Sequence, residues 1–288
     1  MDAVAAQHLS RKVGRHGPPW LHNEVARRMA SRLPLIRQTV SHWVHWEPRI
    51  GGLDSQALLE SVHPQATSTV VQAQPADLAW ATGALKRPWW QGWRAPKRLF
   101  ASQAKSADML WCNMGLHLHA QPEPLMRRWA SSLNDQGFVM FSCLGPDSLK
   151  ELRQVHEAMG WTPPHHDFTD MHDWGDMLLQ AGFASPIMDM ERITLTYATP
   201  AALLNDLRGL GRNLHPQRFP GLRARQWLSH WQQSTAKYMA SDHHQGRLAL
   251  TFEVIYGHAF KAQPRTPVKP QTEVSLKDMK AMLASPPR

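Results

Sequence analysis

The sequence predicts an α/β fold, with a mostly parallel sheet, helices on its faces and an antiparallel strand near the C-terminus. Strand-like and helix-like segments alternate through the first 160 residues. Residues 137–143, GFVMFSC, form a continuous apolar run, as expected for a central strand that is buried on both faces. Residues 248–256, LALTFEVIY, alternate between apolar and polar positions, which is typical of a half-buried antiparallel strand.

The first elements follow from apolar spacing and from the residues that begin helices. Apolar side chains recur every four residues over 21–33, which predicts an amphipathic helix. Residues 54–62 form a second predicted helix, with Asp54 or Ser55 as its N-cap. The predicted strands of this half are 41–46, 67–72 and 107–112, and the stretch 75–106, rich in Pro, Gly and Trp, is predicted to be irregular.

The second half carries clearer helix signals. Thr199 as N-cap, Pro200 after it and Gly211 at the end together predict one helix. Asp170 is a predicted N-cap, and Pro146 is predicted to begin a helix. The predicted helices are 122–133, 146–159, 170–182, 200–210 and 222–240, and the predicted strand 187–197 has a bulge near Glu191.

Composition restricts the class of protein. The 288 residues are enough for one large α/β domain, and 32 Lys and Arg against 23 Asp and Glu give a net charge of +9, which favours an acidic partner. No apolar run approaches the length of a membrane span, and the N-terminus lacks the apolar stretch of a secretory signal. Two cysteines make neither a disulfide scaffold nor a Cys-rich zinc site. We therefore expect a cytoplasmic protein with no membrane partner.

One basic segment contains several aromatic residues. Residues 86–98, KRPWWQGWRAPKR, interleave cations with three tryptophans, a pattern that can stack on bases or form a structural or docking loop. The scattered distribution of the other basic residues disfavours a nucleic-acid partner.

Segments between residues 107 and 257 resemble a known family. Residues 107–153, ADMLWCNMGLHLHAQPEPLMRRWASSLNDQGFVMFSCLGPDSLKELR, are similar to the region from the fourth strand to the helix after the fifth strand of class I S-adenosylmethionine (SAM) methyltransferases. Within that superfamily the chain most resembles the malonyl-acyl carrier protein O-methyltransferases of biotin synthesis (BioC type). The other matching segments are 170–176 (DMHDWGD), 181–183 (AGF), 188–192 (MDMER), 205–211 (NDLRGLG) and 255–257 (IYG).

The resemblance implies a domain organisation. It implies a Rossmann-like, mostly parallel sheet of seven strands, with an antiparallel C-terminal strand and a helical insert. The N-terminal helical segment would cover 1–40 and the α/β domain 41–262, with a helical lid at 199–245 and a flexible tail at 263–288.

The resemblance also implies a reaction. In this family a methyl group passes from SAM to the free carboxylate of a malonyl group on an acyl carrier protein. Acyl carrier proteins are acidic, so the basic chain suits one as a partner. Arg208, Arg212 and Tyr256 are the implied substrate-binding residues. The transfer needs alignment of the two reactants rather than a nucleophilic side chain, so no catalytic residue is assigned, and no metal is expected.

The implied cofactor motif departs from the family pattern. The family has an acidic strand end followed by Gly-x-Gly-x-Gly, whereas residues 44–52 read VHWEPRIGG. The second strand ends at Gln72, where the family has an acid for the ribose hydroxyls, and residues 80–105 contain no Asp or Glu to face the adenine. The implied cofactor-binding residues are Glu47, Gly51, Gly52, Gln72, Asp108 and Asn113.

These departures leave other hypotheses open. The chain could be a catalytically impaired protein of the same fold that binds or regulates a partner without using SAM. A nucleic-acid methyltransferase is supported only by net charge and by the segment 86–98. The spacing of His165, His166 and His172 is loosely that of a metal site, although helix capping and solvent exposure explain it more simply.

Overall fold

A mixed sheet forms the centre of the protein. The computed structural model describes residues 1–2, 4–6, 20–87 and 95–263. The strand order is β3-β2-β1-β4-β5-β8-β6, and the short β7 pairs with β8. The strands are β1 (His42–Trp46), β2 (Thr67–Val71), β3 (Arg98–Ala101), β4 (Ala107–Cys112), β5 (Leu133–Leu144), β6 (Phe183–Tyr197), β7 (Ala240–Ser241) and β8 (Arg247–Lys261).

Helices pack on both faces of this sheet. Residues 33–35, 116–118 and 242–244 add single 3₁₀ turns. The helices are α1 (Trp20–Ala30), α2 (Pro48–Gly51), α3 (Asp54–Val62), α4 (Pro75–Ala84), α5 (Pro122–Ser132), α6 (Lys150–Ala158), α7 (Met171–Gln180), α8 (Pro200–Leu210) and α9 (Arg225–Met239). In the described parts of the chain, no helix has the length and apolar character needed to cross a membrane.

Strand direction determines where a ligand site can form. Strands β1 to β5 are parallel, while β8 is antiparallel to both β5 and β6. The carboxyl ends of β1, β2, β4 and β5 therefore meet at one edge of the sheet. Ligands of open α/β sheets bind at this edge.

Two apolar cores cover the two faces. Successive residues of a strand point to opposite faces, so Met109 and Leu110 of β4 enter different cores. Met109 belongs to the core that includes Trp231 of α9, and Leu110 to the core that includes Trp129 of α5 and Trp174 of α7. The predicted α/β class with a mostly parallel sheet is therefore confirmed. Because helices cover both faces of the sheet, a central strand such as β5 is apolar along most of its inner length.

Several boundaries and caps are confirmed. Helix α8 begins after Thr199, whose Oγ1 accepts from the N–H of Ala202 at 3.2 Å. Asp170 caps α7 by accepting from the N–H groups of His172 and Asp173. Strand β4 has the predicted bounds.

The prediction of an irregular stretch over 75–106 is wrong in its described parts. Helix α4 begins at Pro75, and β3 pairs with β2 at the sheet edge. Helix α4 buries only Asp77 and Ala81, and no residue of β3 is fully buried, so neither element has the apolar period that reveals a helix or a strand. Residues 88–94 lie outside the described residues, and with them most of the basic aromatic segment 86–98.

Pro146 does not begin a helix. The chain makes tight turns after β5, and α6 begins only after Leu149, which has a φ of 59°. Glu253 of β8 holds these turns, because its carboxylate accepts from the N–H of Asp147 at 2.7 Å and its carbonyl accepts from Ser148 Oγ. A contact with a strand so distant in the sequence overrides the local preference of the proline.

Other local predictions also need correction. The irregularity of β6 lies between Ala184 and Ile187 rather than near Glu191. Strand β8 is buried on both faces along most of its length, because it lies between β5 and β6 instead of at an edge. No side chain caps α3, and Asp54 instead accepts from Asn23 Nδ2 at 2.6 Å. Nearly all of the predicted tail, 264–288, lies outside the described residues.

Candidate functional site

Two cavities open at the carboxyl edge of the parallel strands. The first, here called the strand-end cavity, has a volume of about 390 Å³ and is lined by residues that follow β1, β2 and β4. The second, here called the lid cavity, has a volume of about 350 Å³ and lies between the sheet edge and the segment that contains α8 and α9. Both volumes lie in the range of small-molecule sites.

Glu47 brings a carboxylate to the strand-end cavity. It directly follows β1, its N–H donates to the carbonyl of Val71 at 2.8 Å, and its left-handed backbone (φ 47°) turns the chain into α2. Its Oε2 lies 3.2 Å from Nε2 of His119, a residue of the segment that follows β4. The carboxylate is therefore held between the ends of two strands.

Gln72 lies beside Glu47 at the end of β2. The side chain is almost fully buried, and Nε2 has no hydrogen-bond partner among the described residues. A buried amide without an acceptor is costly, so an acceptor on a ligand would satisfy it with only a small rearrangement. Gln72 lines the strand-end cavity, as the sequence predicted for the second strand.

An ion pair that the sequence analysis did not predict lies in the same cavity. The guanidinium of Arg49 in α2 pairs with the carboxylate of Asp77 in α4, and both side chains are largely buried. The guanidinium also lies 5.0 Å from the ring centroid of Trp80. Asp77 is thus an acidic side chain at this end of β2, although it follows the strand by several residues.

Gly51 and Gly52 do not line the strand-end cavity, in contrast to the prediction. Gly51 packs against the turn after β4, where a Cβ would lie 2.4 Å from the carbonyl oxygen of Asn113. Gly52 adopts a φ of 99°, which favours glycine. Both glycines serve the path of the chain out of α2 rather than contact with a ligand.

Asn113 and Asp108 also lie outside the two cavities. Asn113 is buried and crosslinks the site, since Nδ2 donates to the carbonyls of His22 and Gly51 and Oδ1 accepts from Ser142 Oγ. Asp108 lies near the amino end of β4, where it accepts from the backbone N–H groups of residues 41 and 42. The prediction that Asp108 lies at the carboxyl edge is wrong, because it is the second residue of its strand.

The lid cavity has an apolar interior and a basic mouth. Its apolar lining includes Leu144, Leu152 and Phe252, while the exposed Arg208 and Arg212 belong to its outer rim. One NH group of Arg212 donates to the carbonyls of residues 208 and 211, which fixes the end of α8. Both predicted arginines are thus placed at this cavity.

Tyr256, the third predicted substrate residue, lies elsewhere. Its hydroxyl donates to Glu191 at 2.5 Å, and Arg32 lies over its ring at 3.9 Å. Burial and the neighbouring carboxylate raise the pKa of Tyr256. Tyr256 lines neither cavity and links β8 to β6 and to the turn after α1, so its prediction as a substrate residue is not supported.

The boundary between the cavities is formed by a residue pair, His117 and Leu118, to which the sequence analysis assigned no role. Leu118 lines both cavities, and His117 lines the lid cavity. Leu118 packs with Ile50 and Leu214 in a small apolar cluster. The signal for this boundary was its position in the short segment that follows β4, at the ligand-binding edge of the sheet.

Curated relatives identify the family of the chain. The chain is 36% identical over 262 residues to the malonyl-[acyl-carrier protein] O-methyltransferase of Laribacter hongkongensis, an alignment that covers 85% of this chain and 84% of that protein. It is 34% identical over 255 residues to the enzyme of the same name from Gallionella capsiferriformans, with 85% of each chain covered. The chain belongs to the malonyl-acyl carrier protein O-methyltransferase family.

Solved structures agree with this family at the level of the fold. A methyltransferase from Bacillus halodurans superposes with a TM-score of 0.54 at 11% identity, over 82% of this chain and all of that one. The YcgJ protein of Bacillus subtilis superposes with a TM-score of 0.53 at 12% identity, over 84% of this chain and all of that one. No protein-family model matches the chain.

The family's cofactor fits the residues of the strand-end cavity. Glu47 offers a carboxylate, Gln72 a buried amide with no partner for Nε2 among the described residues, and Arg49 a guanidinium that also pairs with Asp77. SAM carries hydroxyls, an amine and a carboxylate, which these groups can bind.

The loose metal-site spacing of His165, His166 and His172 does not bring these residues together as ligands. No cluster of three or more metal-ligating side chains occurs among residues 1–2, 4–6, 20–87 and 95–263. His165 and His166 bond to the carbonyls of His166 and His117, respectively, and His172 is largely exposed beside Asp170.

Proposed function

We propose that this protein transfers the methyl group of SAM to the free carboxylate of a malonyl group carried on an acyl carrier protein. The proposal rests on the two cavities that meet at Leu118 and on the membership of the chain in this family. One cavity has the polar groups that a cofactor needs, and the other has the apolar depth that an acyl arm needs. The resemblance implies that this reaction belongs to biotin synthesis.

Three side chains of the strand-end cavity support the binding of SAM there. Glu47 and Gln72 offer an acceptor and a donor for hydroxyl or amine groups. Arg49 already pairs with Asp77, and the other N–H groups of its guanidinium are donors for a carboxylate. SAM, when bound, supplies an activated methyl group on a sulfonium. Pro48 has no N–H, so the side chains of this loop, more than its backbone, carry the recognition.

Methyl transfer to a carboxylate requires the protein mainly to align the two reactants. A carboxylate is ionised at pH 7, so no general base has to remove a proton before it attacks the methyl group. The protein must hold the carboxylate at the boundary of the two cavities and exclude competing water. The apolar cluster of Ile50, Leu118 and Leu214 surrounds that boundary with side chains that do not compete as nucleophiles.

The positive charge of the segment over the lid cavity supports an acyl carrier protein as the partner. Residues 199–230 contain five arginines and a single acidic residue, Asp206. Arg208 and Arg212 are exposed at the cavity mouth, and Leu222 nearby is 99% exposed. Cations beside an exposed apolar side chain suit an acidic carrier that delivers its acyl arm into the cavity.

A methylation assay tests the proposed function. Purified protein, SAM labelled in its methyl group and malonyl-acyl carrier protein should yield a labelled, base-labile methyl ester. Acetyl-acyl carrier protein, which has no free carboxylate, should remain unlabelled. Absence of label on the malonyl carrier, in an assay where a curated relative is active, would favour the alternative of a partner protein that does not use SAM.

A further inference from the structure

His117 lies where the two reactants of the proposed reaction must meet. It directly precedes Leu118, the residue that lines both cavities, and its own side chain lines the lid cavity. A malonyl group that enters from the exposed mouth must present its carboxylate at this inner end to reach the strand-end cavity. The exposed arginines Arg208 and Arg212 lie at the mouth instead.

The hydrogen bonds of His117 determine its tautomer. The backbone N–H of Leu144 donates to Nδ1 at 3.3 Å, so Nδ1 is an acceptor and the proton of the neutral ring is on Nε2. No described residue accepts a hydrogen bond from Nε2 in this structure. His117 can therefore offer one N–H donor to a ligand.

The surroundings keep the ring neutral and fixed. Burial, together with the nearby His166, His22 and His119, holds the pKa of His117 well below its usual range. Nε2 of His166 lies 3.0 Å from the carbonyl of His117, and the ring of Phe168 lies edge-on at 5.7 Å. The donor is thus held by contacts on its backbone and on its ring.

We propose that His117 Nε2–H donates a hydrogen bond to one oxygen of the malonyl carboxylate and so directs the other oxygen toward the methyl donor. This inference rests on the proposed function. A neutral donor suits this role, because an imidazolium would form an ion pair with the carboxylate and reduce its nucleophilicity. His117 acts here as a hydrogen-bond donor to the substrate, not as a base.

Binding of two carriers to two variants tests this inference. His117→Leu removes the donor, whereas His117→Gln places an amide N–H close to the position of Nε2. Each protein is titrated, in the presence of S-adenosylhomocysteine, with malonyl- and with butyryl-acyl carrier protein, which lacks the distal carboxylate. We expect His117→Leu to weaken malonyl-carrier binding about tenfold and butyryl-carrier binding less than about twofold, with His117→Gln close to the native protein.

The outcomes separate this inference from the proposed function. Equal weakening of both carriers by His117→Leu, or no weakening of either, would overturn the role of His117 while the function stands. Failure of the native protein to bind either carrier would overturn the proposed function and this inference with it. Thermal unfolding and S-adenosylhomocysteine affinity must match the native values, and a variant that fails this control is replaced by His117→Met.

The pH dependence of carrier selectivity provides a second, independent test of the inference. A neutral donor predicts that the selectivity of the native protein for the malonyl over the butyryl carrier is constant between about pH 6 and about pH 8. A selectivity that rises about tenfold as the pH falls over this range would indicate an imidazolium and contradict the inference.

Discussion

Asp108 and Asn113 lie at the two ends of β4, and neither is free to bind a ligand. Asp108 anchors the amino ends of neighbouring strands, and Asn113 joins the carbonyls of His22 and Gly51 to Ser142. The sequence identifies both as polar residues next to a buried strand. It does not reveal which polar group another part of the chain already occupies, and that depends on contacts between residues far apart in the sequence.

Buried histidines should make the stability of the protein depend on pH. The pKa values of His22, His45 and His165 are each lowered to about 4, in each case chiefly by burial. Below pH 6.5 the unfolded chain takes up protons that the folded chain does not, so the free energy of unfolding falls between pH 6.5 and pH 4. We expect the melting temperature to fall by several degrees over this interval.

A matched pair of variants isolates one of these residues. His22→Asn keeps a donor near the position of Nδ1, which bonds to the carbonyl of Ile50 at 2.9 Å, but cannot titrate. Its melting temperature should depend less steeply on pH than that of the native protein, whereas His172→Asn, at a side chain that is 79% exposed, should leave the slope unchanged. Identical slopes for all three proteins would exclude His22 as a source of the dependence.

At the scale of elements, the surface of α8 and of the connection to α9 should control carrier binding. Arg208→Glu combined with Arg212→Glu is expected to weaken binding of the acidic carrier about tenfold at low salt, and the loss should shrink as ionic strength rises. The matched control is Arg27→Glu combined with Arg127→Glu, which changes the net charge equally on exposed residues of α1 and α5. Equal losses in both variants would indicate net charge alone, not a docking surface.

Elements with strong local signals were predictable, and those that depend on partners were not. Helix α8 has its cap at Thr199 and β4 has its apolar run, so both follow from short segments of sequence. Helix α4 and β3 bury few residues. Strand β3 is held by its pairing with β2, and α4 by the ion pair of its Asp77 with Arg49. The turn before α6 depends on Glu253, more than a hundred residues along the chain.

At the scale of the whole molecule, the sheet brings the ends of β1, β2 and β4 to one edge and places two cavities there. The resemblance implied a cofactor site at this edge, with Glu47, Gln72, two glycines, Asp108 and Asn113 as its residues. In the structure the lining includes the predicted Glu47 and Gln72, together with the Arg49–Asp77 pair that the sequence analysis did not identify. A single sequence did not reveal this pair, because Arg49 and Asp77 meet only in the folded chain.

Calorimetric titration with S-adenosylhomocysteine tests whether the strand-end cavity binds the cofactor. The native protein is compared with Gln72→Leu and with the control His172→Asn. We predict micromolar binding to the native protein and to the control, and about tenfold weaker binding to Gln72→Leu, whose side chain cannot hydrogen-bond the ligand. Micromolar binding that Gln72→Leu leaves unchanged would contradict the assignment of the cofactor to the strand-end cavity. No measurable binding to the native protein would contradict the methyltransferase activity itself.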